Sequence, residues 1–219
     1  IRDCLLSRGL GDVYKRQAPI ILVTGRQRVG KTALALRIAE EVEGENFDIT
    51  KQMTYSIEDF AEMYDTYSNK IIILDEAGIP LDPYEHMSIT QRVYSHIIQT
   101  QAYKGNTIIL VLPFASAIGR NHRNHVNAIV EVIWRGVYKL YACSSWHSDL
   151  SNKPPRLRHI ETVTGVPLPS DRIWLPYKEH GQEAYKKSIM EMQRQILESR
   201  HQKKLSNQQK MSVLSHVEF

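Results

Sequence analysis

Eight consecutive residues, Gly25-Arg26-Gln27-Arg28-Val29-Gly30-Lys31-Thr32, fit the spacing G-x-x-x-x-G-K-T. Glycines in a short loop let backbone N–H groups approach an anion that a side chain would hold off. The lysine is placed to reach the outer phosphates of a nucleotide, and the threonine to put its hydroxyl on a magnesium ion. A second acidic element comes later: Ile71-Ile72-Ile73-Leu74 runs straight into Asp75-Glu76. An apolar run ending in two carboxylates puts acids at the carboxyl end of a buried strand, where open α/β sheets bind ligands. Asp75 suits the magnesium shell. Glu76, one residue on, suits orienting and deprotonating an attacking water. Together these residues imply chemistry on a magnesium-bound nucleotide.

The flanking sequence supplies the elements that must position them. Pro19 to Thr24 is an unbroken β-branched and leucine run, suited to a strand buried on both faces of a parallel sheet. Ala33 to Glu43 is expected to be a helix ended by Gly44. Phe47 to Met53 is expected to be a second strand. Ser56, with Asp59 three residues on, signals the start of a helix reaching about Tyr67. A further helix is predicted from about Ser88 to Lys104, where Ile89, Val93 and Ile97 recur at helical spacing, followed by Gly105. Thr107 to Leu112 is another buried strand, stopped by Pro113. After a polar stretch, Ala128 to Trp134 and Val137 to Cys143 form a hairpin around Arg135-Gly136. From Ser144 to Pro176 periodicity fades and prolines accumulate, which predicts an extended linker or arm. A helix resumes from about Gln182 to Gln202, with Tyr185, Ile189, Met192 and Ile196 as its stripe.

Strands alternating with helices predict an α/β fold: a mostly parallel sheet flanked by helices, with a C-terminal hairpin and a helical extension. The expected divisions are a leader at 1–17, a core at 18–143, a proline-containing linker or arm at 144–178, and a helix and tail at 179–219. The leader contains Arg8-Gly9-Leu10-Gly11-Asp12-Val13-Tyr14-Lys15-Arg16-Gln17, which resembles a translated linker from bulk environmental sequencing. It is expected to be non-native.

Composition narrows the class. Hydrophobic residues make up 42% and charged residues 24% of the 219 residues, a globular rather than disordered mixture. The formal charge of +4 permits nucleic acid as a partner without requiring it. The cysteines, Cys4 and Cys143, imply no disulfide framework and fit a reducing cytoplasm. No apolar run approaches the roughly 20 residues of a membrane span. His122, His125, Cys143 and His147 do not complete a zinc set.

The phosphate loop together with Leu74-Asp75-Glu76 resembles the P-loop NTPases, in the division with a catalytic glutamate beside the second-motif aspartate. The resemblance covers Pro19 to Cys143. The loop's early position, Leu74-Asp75-Glu76-Ala77-Gly78, a strand running into Leu112-Pro113 and the terminal hairpin look like the FtsK–HerA class of DNA-pumping ATPases and its zonular-occludens-toxin-like and viral packaging relatives. That resemblance implies ATP as the nucleotide, a homo-oligomeric ring with ATP between neighbours, and DNA as cargo. It makes Arg120 or Arg123 an arginine finger donated to a neighbour's γ-phosphate. It places the protein in the cytoplasm, a host's if the chain is viral. One departure is Pro113, at the strand end where the class carries a polar residue that reads the γ-phosphate. Arg26 and Arg28 are similar to the loop arginines of large terminases, which usually carry a nuclease domain after the motor; none is expected within these 219 residues.

Two other readings compete. Val29-Gly30-Lys31-Thr32 and Asp75-Glu76-Ala77-Gly78 also match small GTPases. Guanine recognition needs N-K-x-D, however, and both Asn69-Lys70-Ile71-Ile72 and Asn152-Lys153-Pro154-Pro155 lack the aspartate. A nucleotide-binding interaction protein that does not hydrolyse is the other alternative. For DNA, Arg135, Lys139, Lys153, Arg156 and Arg158 beside Trp134, Tyr138, Tyr141 and Trp146 describe a basic, aromatic-bearing arm able to track phosphates. The competing expectation is that the aromatics form a hairpin core and the cations are solvated.

Overall fold

The apolar runs alternate sides, and that alternation builds a sheet with two covered faces. In the computed structural model, which describes residues 18–75, 97, 103–115, 125–144, 156–181, 183, 186–187, 189–190 and 193–194, β1 (Ile20–Gly25) points Ile21 and Val23 into one core and Ile20 and Leu22 into the other. β3 (Ile71–Leu74) and β4 (Thr107–Val111) divide in the same way: Ile71, Ile73, Ile109 and Val111 face one side, and Ile72, Leu74, Ile108 and Leu110 the other. α1 (Lys31–Glu43) covers the first face with Leu34, Ala35, Leu36, Ile38 and Ala39. α3 (Ile57–Thr66) covers the second with Ile57, Phe60 and Tyr64. A strand buried on both faces has no polar side to show, which is why these segments carry no hydrophilic alternation.

The seven strands, completed by β2 (Met53–Thr54), β5 (Ala128–Trp134), β6 (Val137–Ser144) and β7 (Arg156–Val163), run in the order β2-β3-β4-β1-β5-β6-β7. Pairings from β2 through β5 are parallel, whereas β5–β6 and β6–β7 are antiparallel. β4 therefore lies between β1, which leads into the Gly25–Thr32 loop, and β3, which leads into Asp75. In the antiparallel half one face stays in the core through Val130, Val132, Tyr138, Leu140 and Val163, while Ile133 and Trp134 are exposed. Tyr138 is thus hairpin core, and Trp134 is surface.

Local chemistry sets the element ends. Ser56 accepts a hydrogen bond from the Asp59 amide at 3.3 Å and opens α3, as its spacing predicts. Gly44 ends α1 with a left-handed φ of 62°. Glu43, at the last turn of α1, accepts from the Gln52 side chain, the Lys70 ammonium and the Ile71 amide, fastening the helix end to the start of β3. Of the helix expected between Ser88 and Lys104, Ile97, Tyr103 and Lys104 fall among the described residues and are helical, with Ile97 buried in the second core.

Two stretches differ from their sequence reading. Phe47 to Met53 is not a strand: Asp48 accepts from the Thr50 amide at 3.0 Å and starts a single helical turn, α2 (Ile49–Gln52), before the short β2. The stretch expected to be a linker or arm supplies the sheet's last strand, β7, and a short helix, α4 (Asp171–Pro176), whose Ile173 is buried. Between them the chain is fastened to the core. The Val166 amide donates to the Gly136 carbonyl at 3.1 Å. The Ser170 amide donates to Glu40 at 3.0 Å. The Arg172 guanidinium donates to the carbonyls of Gly44 at 2.8 Å and Phe47 at 2.9 Å. These last contacts satisfy carbonyls at the end of α1, where a cation also complements the helix dipole.

By its internal contacts the chain separates into two units, Ile1–Lys178 and Glu179–Phe219. In the second, the described positions from 183 to 194 are helical, and Ile189 is half-buried. Among the described residues, no helix is long and apolar enough to cross a membrane.

Candidate nucleotide-phosphate site

The glycine-containing loop from Gly25 to Thr32 begins where β1 runs out of room. Gly25, paired with Val132 of β5, has φ 147°. A Cβ there would lie 2.5 Å from the Val132 carbonyl oxygen, so glycine is required. Its amide donates to the Pro113 carbonyl at the end of β4, 3.3 Å away. The loop then passes through Arg28 at φ 63° and Gly30 at φ 97°. Left-handed backbone costs a non-glycine residue such as Arg28 about 1 kcal/mol or more, and strain of this kind concentrates at functional sites. Gly30 is the N-cap of α1, and its carbonyl accepts from the Leu34 amide at 3.0 Å. No side chain caps this end, and its first turn carries no acid. The terminal amides and the positive end of the helix dipole are thus left for an anion.

Lys31 and Thr32, the first residues of α1, diverge. The Lys31 ammonium folds back and donates to the Arg26 carbonyl at 3.0 Å. Thr32 Oγ1 donates to Asp75 Oδ2 at 2.8 Å. Asp75 follows β3 directly, its amide donating to the Thr54 carbonyl, and is 3% exposed. A buried carboxylate needs partners, and Thr32 is one. Because the Thr32 proton is committed to Asp75, the hydroxyl lone pairs remain for a cation. Magnesium takes oxygen ligands in octahedral geometry and keeps several waters. A hydroxyl and a carboxylate already converged at hydrogen-bond distance, next to open helix amides, fit such an ion. Thr32 and Asp75 are the residues that would hold it.

The structure thus brings Gly25, Arg26, Gln27, Arg28, Val29, Gly30, Lys31 and Thr32 together with Asp75. Arg26, Gln27 and Arg28 are exposed on the loop, and Val29 packs against the core. Glu76, Arg120 and Arg123 lie outside the described residues. Sequence reasoning missed two backbone neighbours of the loop, the Pro113 carbonyl that accepts from the Gly25 amide and the Val132 carbonyl that bars a side chain at Gly25, which no side-chain pattern could signal. Pro113 stood out as a departure from the expected sensor position; its carbonyl instead anchors the first residue of the loop.

Burial pushes the Cys143 thiol up to about 11, which keeps it protonated at neutral pH. No group of three His, Cys, Asp or Glu side chains able to hold a metal is present among the described residues.

No family model matches the chain, and neither does any curated protein. Solved structures do. The N-terminal domain of zonular occludens toxin from Neisseria meningitidis is 15% identical, with 66% of this chain and 95% of that one covered at a TM-score of 0.43. The genome packaging NTPase B204 from Sulfolobus turreted icosahedral virus 2, with sulfate, is 11% identical, covering 66% of this chain and 96% of that one at 0.44. EssC (ATPases 2 and 3) from Geobacillus thermodenitrificans is 10% identical, covering 80% of this chain and 45% of that one at 0.44.

Proposed function

We propose that this chain binds ATP with magnesium and hydrolyses it, as one subunit of a homo-oligomeric ring that moves or packages DNA. The observation that carries the nucleotide reading is the hydrogen bond from Thr32 Oγ1 to Asp75 Oδ2, 2.8 Å long, at the end of a glycine-turned loop. Lys31, released from the Arg26 carbonyl, neutralises the γ-phosphate. Glu76 takes the proton of the attacking water as the water oxygen bonds to the γ-phosphorus. The bond to the β–γ bridging oxygen breaks, and ADP leaves with the electron pair. Magnesium held by Thr32 and Asp75 supplies charge neutralisation for the phosphate oxygens. Arg120 or Arg123 completes a neighbouring subunit's site.

ATP is favoured over GTP by position as well as by motif. Asn69-Lys70, one of the two partial matches to a guanine motif, precedes β3, at the opposite end of that strand from Asp75; the other, Asn152-Lys153, lies outside the described residues. DNA is supported by the sequence resemblance and by the exposed Arg156 and Arg158 of β7 and Trp134 of the hairpin. A motor of this kind works in the cytoplasm, a host's if the chain is viral.

ATP turnover by the full chain, measured with and without double-stranded DNA at low salt, tests both halves. Lys31→Ala abolishes nucleotide binding or turnover, and Glu76→Gln binds without turning over. Unchanged turnover in Glu76→Gln sinks the general-base role. DNA that neither binds nor stimulates hydrolysis sinks the motor, and a preference for GTP supports a switch instead.

A further inference from the structure

We infer that Arg135, on the turn between β5 and β6, contacts the phosphate chain of the nucleotide held in its own subunit. The inference rests on the nucleotide reading of the phosphate loop and deepens it.

The geometry begins at Gly30. A Cβ built on Gly30 would meet the Cγ of Arg135 at 3.9 Å, so the stem of this arginine stands against the mouth of the phosphate loop. The turn that carries it is held in place. Gly136 has φ 72°, and a Cβ there would lie 2.9 Å from the Val166 carbonyl oxygen, while the Val166 amide donates to the Gly136 carbonyl. A β-bulge between Val132 and Trp134 breaks the register just before the turn, the device by which strand ends re-aim side chains. The segment that locks the turn also grips α1 through Ser170 to Glu40 and Arg172 to Gly44. The helix that begins in the loop and the turn that bears Arg135 are therefore tied to one piece of chain.

Charge supplies the second argument. Arg135 is exposed and makes no ion pair or hydrogen bond among the described residues. Glu131, on the same strand, accepts from the Tyr141 hydroxyl at 3.2 Å. Arg26, Arg28 and Lys31 already crowd the loop, and the described acid beside them, Asp75, is engaged by Thr32. A further cation at that mouth repels its neighbours unless a polyanion arrives to satisfy them all. A nucleotide polyphosphate is such an anion, and a planar guanidinium suits its oxygens.

Calorimetric titration of the full chain with ADP and with a non-hydrolysable ATP analogue tests this, using wild type, Arg135→Ala, Arg135→Lys and Lys31→Ala. Arg135→Ala is expected to weaken both ligands roughly tenfold, with Arg135→Lys in between. The melting temperature without nucleotide should stay at or slightly above the wild-type value, because the side chain is exposed and one repelling charge is removed, while the nucleotide-induced rise shrinks. Wild-type affinity in Arg135→Ala, with binding lost in Lys31→Ala, overturns the role of Arg135 alone. Wild-type affinity in Lys31→Ala overturns the phosphate-loop reading beneath it. Mixing Arg135→Ala with Lys31→Ala separates same-subunit from neighbour action: no recovery of turnover supports the inference, and recovery overturns it.

Discussion

Thr32 and Asp75 meet through a 2.8 Å hydrogen bond although 43 positions separate them and β4 lies between the strands that precede them, β1 and β3. The contact ties the start of α1 to the acid that follows β3. Asp75→Asn, which keeps the shape and removes the charge, should lower magnesium-dependent ATP affinity by about tenfold or more, with smaller effect on metal-free binding. Titrating nucleotide with and without magnesium checks it. Equal losses under both conditions would leave Asp75 a structural partner of Thr32 and nothing more.

Gly25 gives the sharpest stability prediction. A methyl at this position collides with the Val132 carbonyl and also meets Val29 and the Val132 side chain. Gly25→Ala should cost about 2 kcal/mol or more, by steric strain and by the positive φ. Urea unfolding measures the cost, and nucleotide binding should fall with it. Gly44→Ala is the contrast: a positive φ with nothing within 4 Å, so strain acts without collision and the loss is smaller.

Acid should loosen the segment that crosses the end of α1. Burial raises the Glu40 carboxyl, but the hydroxyl and amide of Ser170 and the nearby Arg37 and Arg172 outweigh it and hold the group below the usual glutamate value. A depressed carboxylate stabilises the fold above its unfolded value and loses that contribution as pH falls through the folded value. Melting temperature followed from neutral pH to below 4.5, the ordinary glutamate value, should drop less steeply in Glu40→Gln than in wild type. Parallel curves would remove Glu40 from the acid response.

Cys143 should resist modification in the folded protein. With its thiol pushed up to about 11, the thiolate fraction at pH 8 is roughly two orders of magnitude below that of a free cysteine. Iodoacetamide labelling read by peptide mass spectrometry should be slow at Cys143 in buffer and fast in denaturant. Rapid labelling in buffer would contradict the burial.

The site was legible where its chemistry is local. Gly25, Gly30, Lys31 and Thr32 act through backbone shape and one helix start, so their spacing carried the reading. β1, β3 and β4 were legible because strands buried on both faces leave unbroken apolar runs. β7 was not. It lies at the sheet edge, its Arg156, Leu157, Arg158 and His159 are exposed, and no alternation marks it. Phe47 to Met53 misled in the opposite direction. It is expected to be a strand, while Asp48 accepts from the Thr50 amide and Gln52 from the Asp48 amide, which closes the middle into a turn of helix. The nearness of Arg135 to Gly30 depends on a bulge and on a tie from Val166, neither visible in one dimension.

The hydrogen bonds that Val166, Ser170 and Arg172 send back to the core decide where this protein can be cut. A fragment ending at Ser144 keeps every residue of the phosphate loop, yet it strips β6 of its outer neighbour and bares the Gly44 and Phe47 carbonyls. A fragment meant to keep these contacts runs past Trp174, whose amide donates to the Ser170 carbonyl, and past Tyr177, which stacks on Trp174, to Lys178, where the first unit ends. Anyone trimming the chain for expression should place the boundary there and leave the proline-rich region intact.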